Sequence, residues 1–478
     1  MCLSTTVLAS DPDLLEVVQR AGVSHVWMAH YFYGYRPYAL EDLQAWRRKI
    51  EALGMYAGAI HLPLGHPGDS LGAMDGNIPL TPPTHWKQGV SIDGAVHAGT
   101  SLHAPATEEN AVAVKEIGAA GFHTVFLDDD YRLARGPGVI GGCFCAEHRE
   151  RFLEAGGLGA GDWDTLLSDV RSRRLSSVLR AWVEFTCGEL TACFRAQQEA
   201  APNLDLGIMV MYLGAEKAGI QLTDYRDVPF RVGELMFNDA SFDKVKGKTD
   251  ELFSALFHRR FARPELAYSE TTAFPSDRLS AANMAAKLAV STIADVRNTM
   301  FMSGLTPFPK SHWDVLGPAM ARQSEIHGAL AGRVPRGPLK HYWGEAARYV
   351  GDDNPYSLFL AMGVPFEVVD AIPSVGWTFL CDADVPQARG LGSTLIARPE
   401  ARTGWARGVA ETLEGLYALK REIVPTLEGV PYVAEDRPVV CAWYPESRRV
   451  LLWNLGPQQE AFTVRQDGRD LAVTVFVP

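Results

Sequence analysis

The 478-residue chain has no run of about 18 apolar residues, the least a helix needs to cross a bilayer. It has no surplus of positive charge either. Its 45 Lys and Arg face 57 Asp and Glu, a formal net charge of −12. No basic run interrupts that background, so the electrostatic footprint of a nucleic-acid or anionic-membrane binder is missing. Cysteine is scarce and odd in number: Cys2, Cys143, Cys145, Cys187, Cys193, Cys381 and Cys441. That argues against a disulfide framework and fits a reducing cytoplasm. Residues 1–10 carry no Lys or Arg and run into Asp11-Pro12-Asp13, a poor secretory signal. A cytoplasmic location is therefore expected. There is no internal repeat, no Walker loop and no G-x-S-x-G elbow. Gly136-Pro137-Gly138-Val139-Ile140-Gly141 fits G-x-G-x-x-G, but it opens no helix and its proline suits a phosphate cradle badly. Gly390-Leu391-Gly392 is weaker still. What remains is ordinary globular composition, 47% hydrophobic and 21% charged. The length calls for two or three domains.

Strand-like and helix-like pieces alternate over the first 335 residues. Strands are expected at 23–30, 54–61, 90–97, 123–128, 204–212, 233–238, 266–270 and 299–303. Such alternation argues for a parallel sheet, and eight units suggest a closed (β/α)₈ barrel. Without the 90–97 segment the count is seven, and an open sheet stays in play. A linker-like stretch, Gly332 to Pro338, follows. Residues 336–431 read as a smaller α/β domain and 432–478 as an antiparallel β domain.

Barrels of this kind place reactive residues at the C-terminal ends of strands. The fourth expected strand ends in Asp128-Asp129-Asp130-Tyr131-Arg132. Three successive acids raise one another's pKa, which makes a proton donor near neutral pH. A solvated turn, a helix N-cap or a magnesium site are the other readings. Arg132 is suited to holding one aspartate charged, or is a surface pair. The seventh strand ends in Ser269-Glu270-Thr271-Thr272. Alone, Glu270 reads as a surface acid. Together with the aspartates it supplies the two carboxyl groups that glycoside hydrolysis requires. Aromatic and polar residues at other strand ends would line the pocket: Trp27, His30, Tyr31, His61, Tyr212, Asn238, Asp239, His312 and Trp313. Each is also an ordinary packing residue. The loop from 62 to 88, with Trp86, would close over the pocket and favour exo action on a small glycoside. Cys143 and Cys145 read as a metal clip or as plain buried thiols.

The stretch Phe126 to Leu153, with Asp128-Asp129-Asp130-Tyr131 followed by Cys143-Phe144-Cys145, resembles the acid/base region of glycoside hydrolase family 42. Leu358 to Asp370 is similar to that family's flavodoxin-like trimerisation domain. The resemblance implies a (β/α)₈ barrel, a flavodoxin-like domain and a small β domain, assembled as a homotrimer. It places Asp130 at the acid/base and Glu270 at the nucleophile of a retaining hydrolase. It sets Asp129 where the family has an Asn that contacts a sugar hydroxyl, and Asp128 on the family's Asp. Two departures, the shorter Asp130 and the charged Asp129, put galactosidase activity in doubt. Cys143, Cys145 and His148 match the family's zinc clip, with His148 in place of a third Cys. His103 is near the fourth position, though Ala104 is an equal candidate for that place. A structural zinc and metal-free thiols both remain open, and catalysis requires no cofactor. The alternatives are a sugar isomerase or lyase that uses the aspartates as base or metal site, and a non-catalytic sugar-binding protein. The expected partners are a small glycoside and copies of this chain, not nucleic acid or membrane.

Overall fold

A computed structural model describes residues 1–65, 79, 81–100, 102–128, 131–134, 136, 138–233, 236–390 and 392–471. Eight parallel strands form one sheet in chain order. They are β1 (Cys2–Leu3), β2 (His25–Phe32), β3 (Tyr56–Leu62), β4 (Thr124–Leu127), β5 (Asp205–Met211), β6 (Phe230–Gly233), β7 (Ala267–Thr272) and β8 (Asn298–Met302). The edge strands β1 and β8 approach each other, so the sheet curls into a nearly closed barrel.

Period-two alternation explains the two cores. Trp27, Ala29, Phe32, Ile60, Leu62, Phe126 and Met300 point inward and form a lumen cluster. Val26, Met28, Ala57, Val125, Leu127, Leu206 and Phe301 point outward beneath the helices. Gly58 is required opposite Trp27, because a Cβ there would lie 2.3 Å from the indole ring. Among the described residues no helix is long and apolar enough to cross a membrane.

Two expectations for the barrel need correction. The 90–97 segment is not a barrel strand. Gln88–Val90 and Val96–Thr100 pair antiparallel with each other, in a hairpin inside the long connection from β3 to β4. The missing eighth strand is β1, whose Cys2 and Leu3 pair with Trp27 and Met28. The two errors cancel in the count, so the aspartates still follow β4 and Glu270 still lies on β7. The expected strand at 233–238 is also displaced, because β6 ends at Gly233.

Beyond the barrel lies a second parallel sheet. Its strands are β9 (Leu339–Tyr342), β10 (Phe366–Val369), β11 (Trp377–Leu380), β12 (Thr394–Ala397) and β13 (Ala406–Gly408). Their spatial order is β10-β9-β11-β12-β13, the doubly wound order of flavodoxin-type folds. The chain closes with an antiparallel hairpin, β14 (Val439–Tyr444) with β15 (Arg449–Asn454), beside a three-stranded antiparallel sheet.

The segment between the helix Glu345–Val350 and Asp353 docks on the barrel. Lys217, in the loop after β5, is buried and donates to the carbonyls of Gly351 (2.8 Å) and Ala347 (3.3 Å) and to the Asp353 carboxylate. Arg173 reaches Val350 O at 2.7 Å and Gly138 O at 2.6 Å. Arg348 pairs with the buried Glu216, Nε to Oε1 at 3.0 Å. The G-x-G-x-x-G stretch is absorbed by this packing. The Gly138 backbone faces Asp352, and Gly141 donates its N–H to Lys217 O and accepts from Trp182 Nε1.

Candidate active site and metal cluster

Asp128, directly after β4, turns into the lumen and is 3% exposed. Two strands away in the sheet, Arg231 occupies the second position of β6 and is wholly buried. From β7, Glu270 projects to the same place and is 5% exposed. The guanidinium pairs with both acids. Its Nη2 contacts Asp128, and its Nε lies 3.0 Å from Glu270 Oε2. Thr272 Oγ1 donates to the other Glu270 oxygen. The remaining guanidinium nitrogen, Nη1, meets the sulfurs of Met300 (2.8 Å) and Met302 (3.2 Å). The Phe126 ring lies 5.4 Å beneath the guanidinium carbon. Burial pulls the Arg231 guanidinium below its usual value, and the Glu270 charge pulls it back. Asp129 and Asp130 lie outside the described residues, as do 66–78 and 80 of the long loop.

The other expected pocket residues are scattered. Trp27 is in the lumen, but toward its N-terminal end. It packs on Phe126 at 4.8 Å and Tyr268 at 6.1 Å, beside a cavity of about 210 Å³ that opens at that end. His30, Tyr31 and His61 face the helix Ala106–Ala119 rather than the lumen. A register shift between Ala29 and Tyr31 turns this part of β2 outward. Tyr31 Oη donates to Glu116, which Arg36 also grips with two 3.1 Å bonds. Burial lowers His30 to about 4 and His61 to about 3, so both rings are neutral at physiological pH. Tyr212 packs between sheet and helices, and Ser254 Oγ donates to its carbonyl. Asn238 caps the helix Asp239–Phe242, accepting from Ser241 N at 2.9 Å. Asp239 is spent on Ser280 and Asn283. Trp313 packs against Phe301 and Phe308, and His312 stacks on Phe308. Arg132 is buried. Trp86 is no free lid: it is 3% exposed, and its Nε1 donates to Glu109 at 2.8 Å.

At the rim of the barrel, His103, Cys143, Cys145 and His148 converge, one ligand atom from each lying within 4.8 Å of all the others. Cys145 Sγ is 3.4 Å from His103 Nε2 and 3.2 Å from His148 Nδ1. Tetrahedral zinc with arms of roughly 2.0–2.3 Å has ligand–ligand edges of roughly 3.3–3.8 Å, so the set is near closure. Each imidazole turns its other nitrogen to a carboxylate. His103 Nδ1 is 3.0 Å from Glu147 Oε1, and His148 Nε2 is 2.8 Å from Glu189 Oε2. That backing is what metal-bound histidines ordinarily have. Burial works against a charged His148, yet Cys143, Glu189 and Cys145 push it up to about 10. Burial likewise opposes ionisation of Cys143, but His148 and backbone N–H groups hold its thiol below the usual value. The cluster joins two rim loops, since Val90 N donates to Cys143 Sγ at 3.4 Å and Phe144 N to Val90 O at 2.8 Å. The residues fit a structural zinc, and His103 rather than Ala104 completes the set. A groove of about 840 Å³ runs beside it, lined by Trp86, Lys87, His103, Cys145 and Glu147 among others.

Arg231 escaped the sequence reading. The signal that could have found it is a full charge in the apolar run Pro229-Phe230-Arg231-Val232.

No protein-family model matches the sequence, and neither does any curated protein. The fold does have solved likenesses. The chain is similar to the β-galactosidase of the psychrophilic Marinomonas ef1, with a TM-score of 0.55 and 10% identity over 91% of this chain and 79% of that one. It is similar to the β-galactosidase of Bacillus circulans sp. alkalophilus, with a TM-score of 0.53 and 9% identity over 91% and 74%. The β-galactosidase of the Antarctic haloarchaeon Halorubrum lacusprofundi gives a TM-score of 0.51 and 12% identity over 98% and 81%.

Proposed function

We propose that this protein is a retaining glycoside hydrolase, exo-acting on a small glycoside, with Glu270 as nucleophile and Asp130 as acid/base. The observation that carries the reading is the pair of carboxylates, Asp128 and Glu270, brought to one point of the lumen from just after β4 and from within β7. The likeness of the whole fold to β-galactosidases supports it.

In the first step Glu270 attacks the anomeric carbon while Asp130 gives its proton to the leaving oxygen. In the second, Asp130 takes a proton from water, which displaces Glu270 from the sugar and restores both groups. Asp128 is unsuited to be the proton donor. A guanidinium in contact favours the charged form of a carboxyl group, and a charged carboxylate has no proton to give. That leaves the donor to the two acids that follow it. Cys143, Cys145, His148 and His103 would hold a structural zinc, which would supply a cross-link at the rim and no bond-breaking chemistry. The seven free thiols agree with a cytoplasmic location. The flavodoxin-type sheet suits a homotrimer, for which light scattering gives about three times the 52.3 kDa chain mass.

The test is a panel of nitrophenyl α- and β-glycosides, pyranose and furanose, with wild type beside Glu270→Gln. Loss of the nucleophile lowers turnover by roughly three or more orders of magnitude. Azide added to Glu270→Ala yields the glycosyl azide of inverted configuration, and added to Asp130→Ala the azide of retained configuration. Near-normal turnover by both Glu270→Gln and Asp130→Asn refutes the assignment.

A further inference from the structure

An arginine inside a barrel lumen needs a reason. The side chains around it, Phe126, Met300 and Met302, are apolar, and a methionine would fill the same space. Stability alone does not select a buried ion pair, because an apolar replacement of similar volume is often as stable. Arg231 is also wholly buried, and its nitrogens lie beside Glu270, Asp128 and two sulfurs. It is therefore not an open site for an anionic ligand. What it does contact is the group assigned above to nucleophilic attack. Its Nε lies 3.0 Å from one Glu270 oxygen while Thr272 donates a hydrogen bond to the other, so each oxygen of the carboxylate has its own neighbour. The facing titratable groups are Asp128 from β4 and, more remotely, the Cys2 thiol from β1 and the buried Met1 amino group. Burial pushes that thiol up to about 12, so it is neutral at physiological pH. One guanidinium thus stands between two carboxylates, a formal charge of −1 for the three side chains.

We infer that Arg231 is the positioning residue of this site, holding the Glu270 carboxylate in the orientation needed for attack from β7. The inference rests on the glycosidase reading above. A nucleophile that swings loses effective concentration at the reacting carbon, a loss felt in the chemical step more than in binding.

The experiment compares wild type, Arg231→Lys and Arg231→Met on the glycoside that the nitrophenyl panel identifies. It also measures trapping of each by the 2-deoxy-2-fluoro analogue of that glycoside, followed by intact mass. Arg231→Met is expected to lose 100-fold or more in kcat with KM within threefold, and Arg231→Lys to recover at least tenfold of that. Trapping should reach the full protein amount in every variant, with a rate constant that falls in parallel with kcat. A merely structural role gives the opposite pattern: a smaller trapped fraction reacting at the wild-type rate. That pattern, or an Arg231→Met kcat within threefold of wild type, overturns the inference and leaves the glycosidase reading standing. An inert wild type, with every panel glycoside untouched, removes the glycosidase reading and this inference with it. If Arg231→Met does not fold, Arg231→Met/Asp128→Asn takes its place. Removing one carboxylate along with the guanidinium keeps the cluster's net charge, and the same kcat and trapping criteria apply.

Discussion

Trp27 shows how a single residue's role depends on where its strand turns it. As an aromatic residue at the end of an apolar run, it is a natural platform for a sugar ring. In the fold it lies against Phe126 and Tyr268 over Gly58, toward the N-terminal end of the lumen and 2% exposed. Trp27→Ala should therefore act on stability, at a cost of about 3–5 kcal/mol for a buried large-to-small change. The check is a thermal melt beside KM for the panel glycoside. A lowered Tm with KM within about threefold agrees, and a tenfold rise in KM at unchanged Tm would place the indole on the ligand instead. His30 and His61 teach the same lesson. Both end apolar runs in the sequence, and both are turned to the outer helix, one at a bulge that no periodicity announces. Glu270 stands out in the sequence as an acid at the expected end of an apolar run, three strands after the aspartates, although in the fold it lies within β7. Arg231 interrupts the apolar run of β6 and was passed over because β6 was read three residues late.

At the scale of elements, long strands were readable and short ones were not. β5, seven residues that form one apolar run after Asp205, declares itself. β1 has two residues, too few for any period, and only its pairing with Trp27 and Met28 makes it a strand. β9 carries no clear strand signal because Lys340 and His341 break its apolar run, although His341 is wholly buried and accepts from Tyr356 N at 3.0 Å. The metal cluster stood between these cases. Cys143, Cys145 and His148 share one loop and one helix start, so their spacing is visible. His103 comes from another loop, and only the fold brings it in. From this geometry, purified protein should carry about one zinc per chain by elemental analysis. A strong chelator should lower Tm by roughly 5 °C or more, reversed by Zn²⁺ and not by Mg²⁺. Glu189→Gln, which leaves all four ligands in place, should weaken zinc binding by roughly 10- to 100-fold, because His148 loses the carboxylate that orients it. Protein that binds no zinc after refolding with excess metal would return the cluster to plain buried thiols.

At the scale of the whole molecule, the second sheet is joined to the barrel through charge as well as apolar packing. Lys217 and Asp353 are both buried, and the ammonium is further held by two carbonyls of the docking segment. The crevice beyond the carboxyl ends of β9 and β11 is where a doubly wound sheet ordinarily takes a ligand. Here Gly344 and Ala347, at the start of the docking helix, fold over it and donate to Asp384 at 2.8 and 3.1 Å. The same segment then meets Lys217, Glu216 and Arg173 from the barrel. A domain of this fold is thereby committed to docking. A buried pair of this sort costs much to break and little to replace. Lys217→Met, which strands the Asp353 carboxylate, should lose about 3–5 kcal/mol, while Lys217→Met/Asp353→Asn, whose amide is neutral and tolerates the left-handed backbone of residue 353, should regain most of it. Denaturant unfolding of the two variants beside wild type decides the matter. Recovery in the double variant means that the ion pair selects the docked arrangement rather than supplying its stability. Continued instability would mean that the Lys217 bonds to the carbonyls of Ala347 and Gly351 hold the two parts together, because the double variant loses those bonds while no longer leaving a charge unpaired.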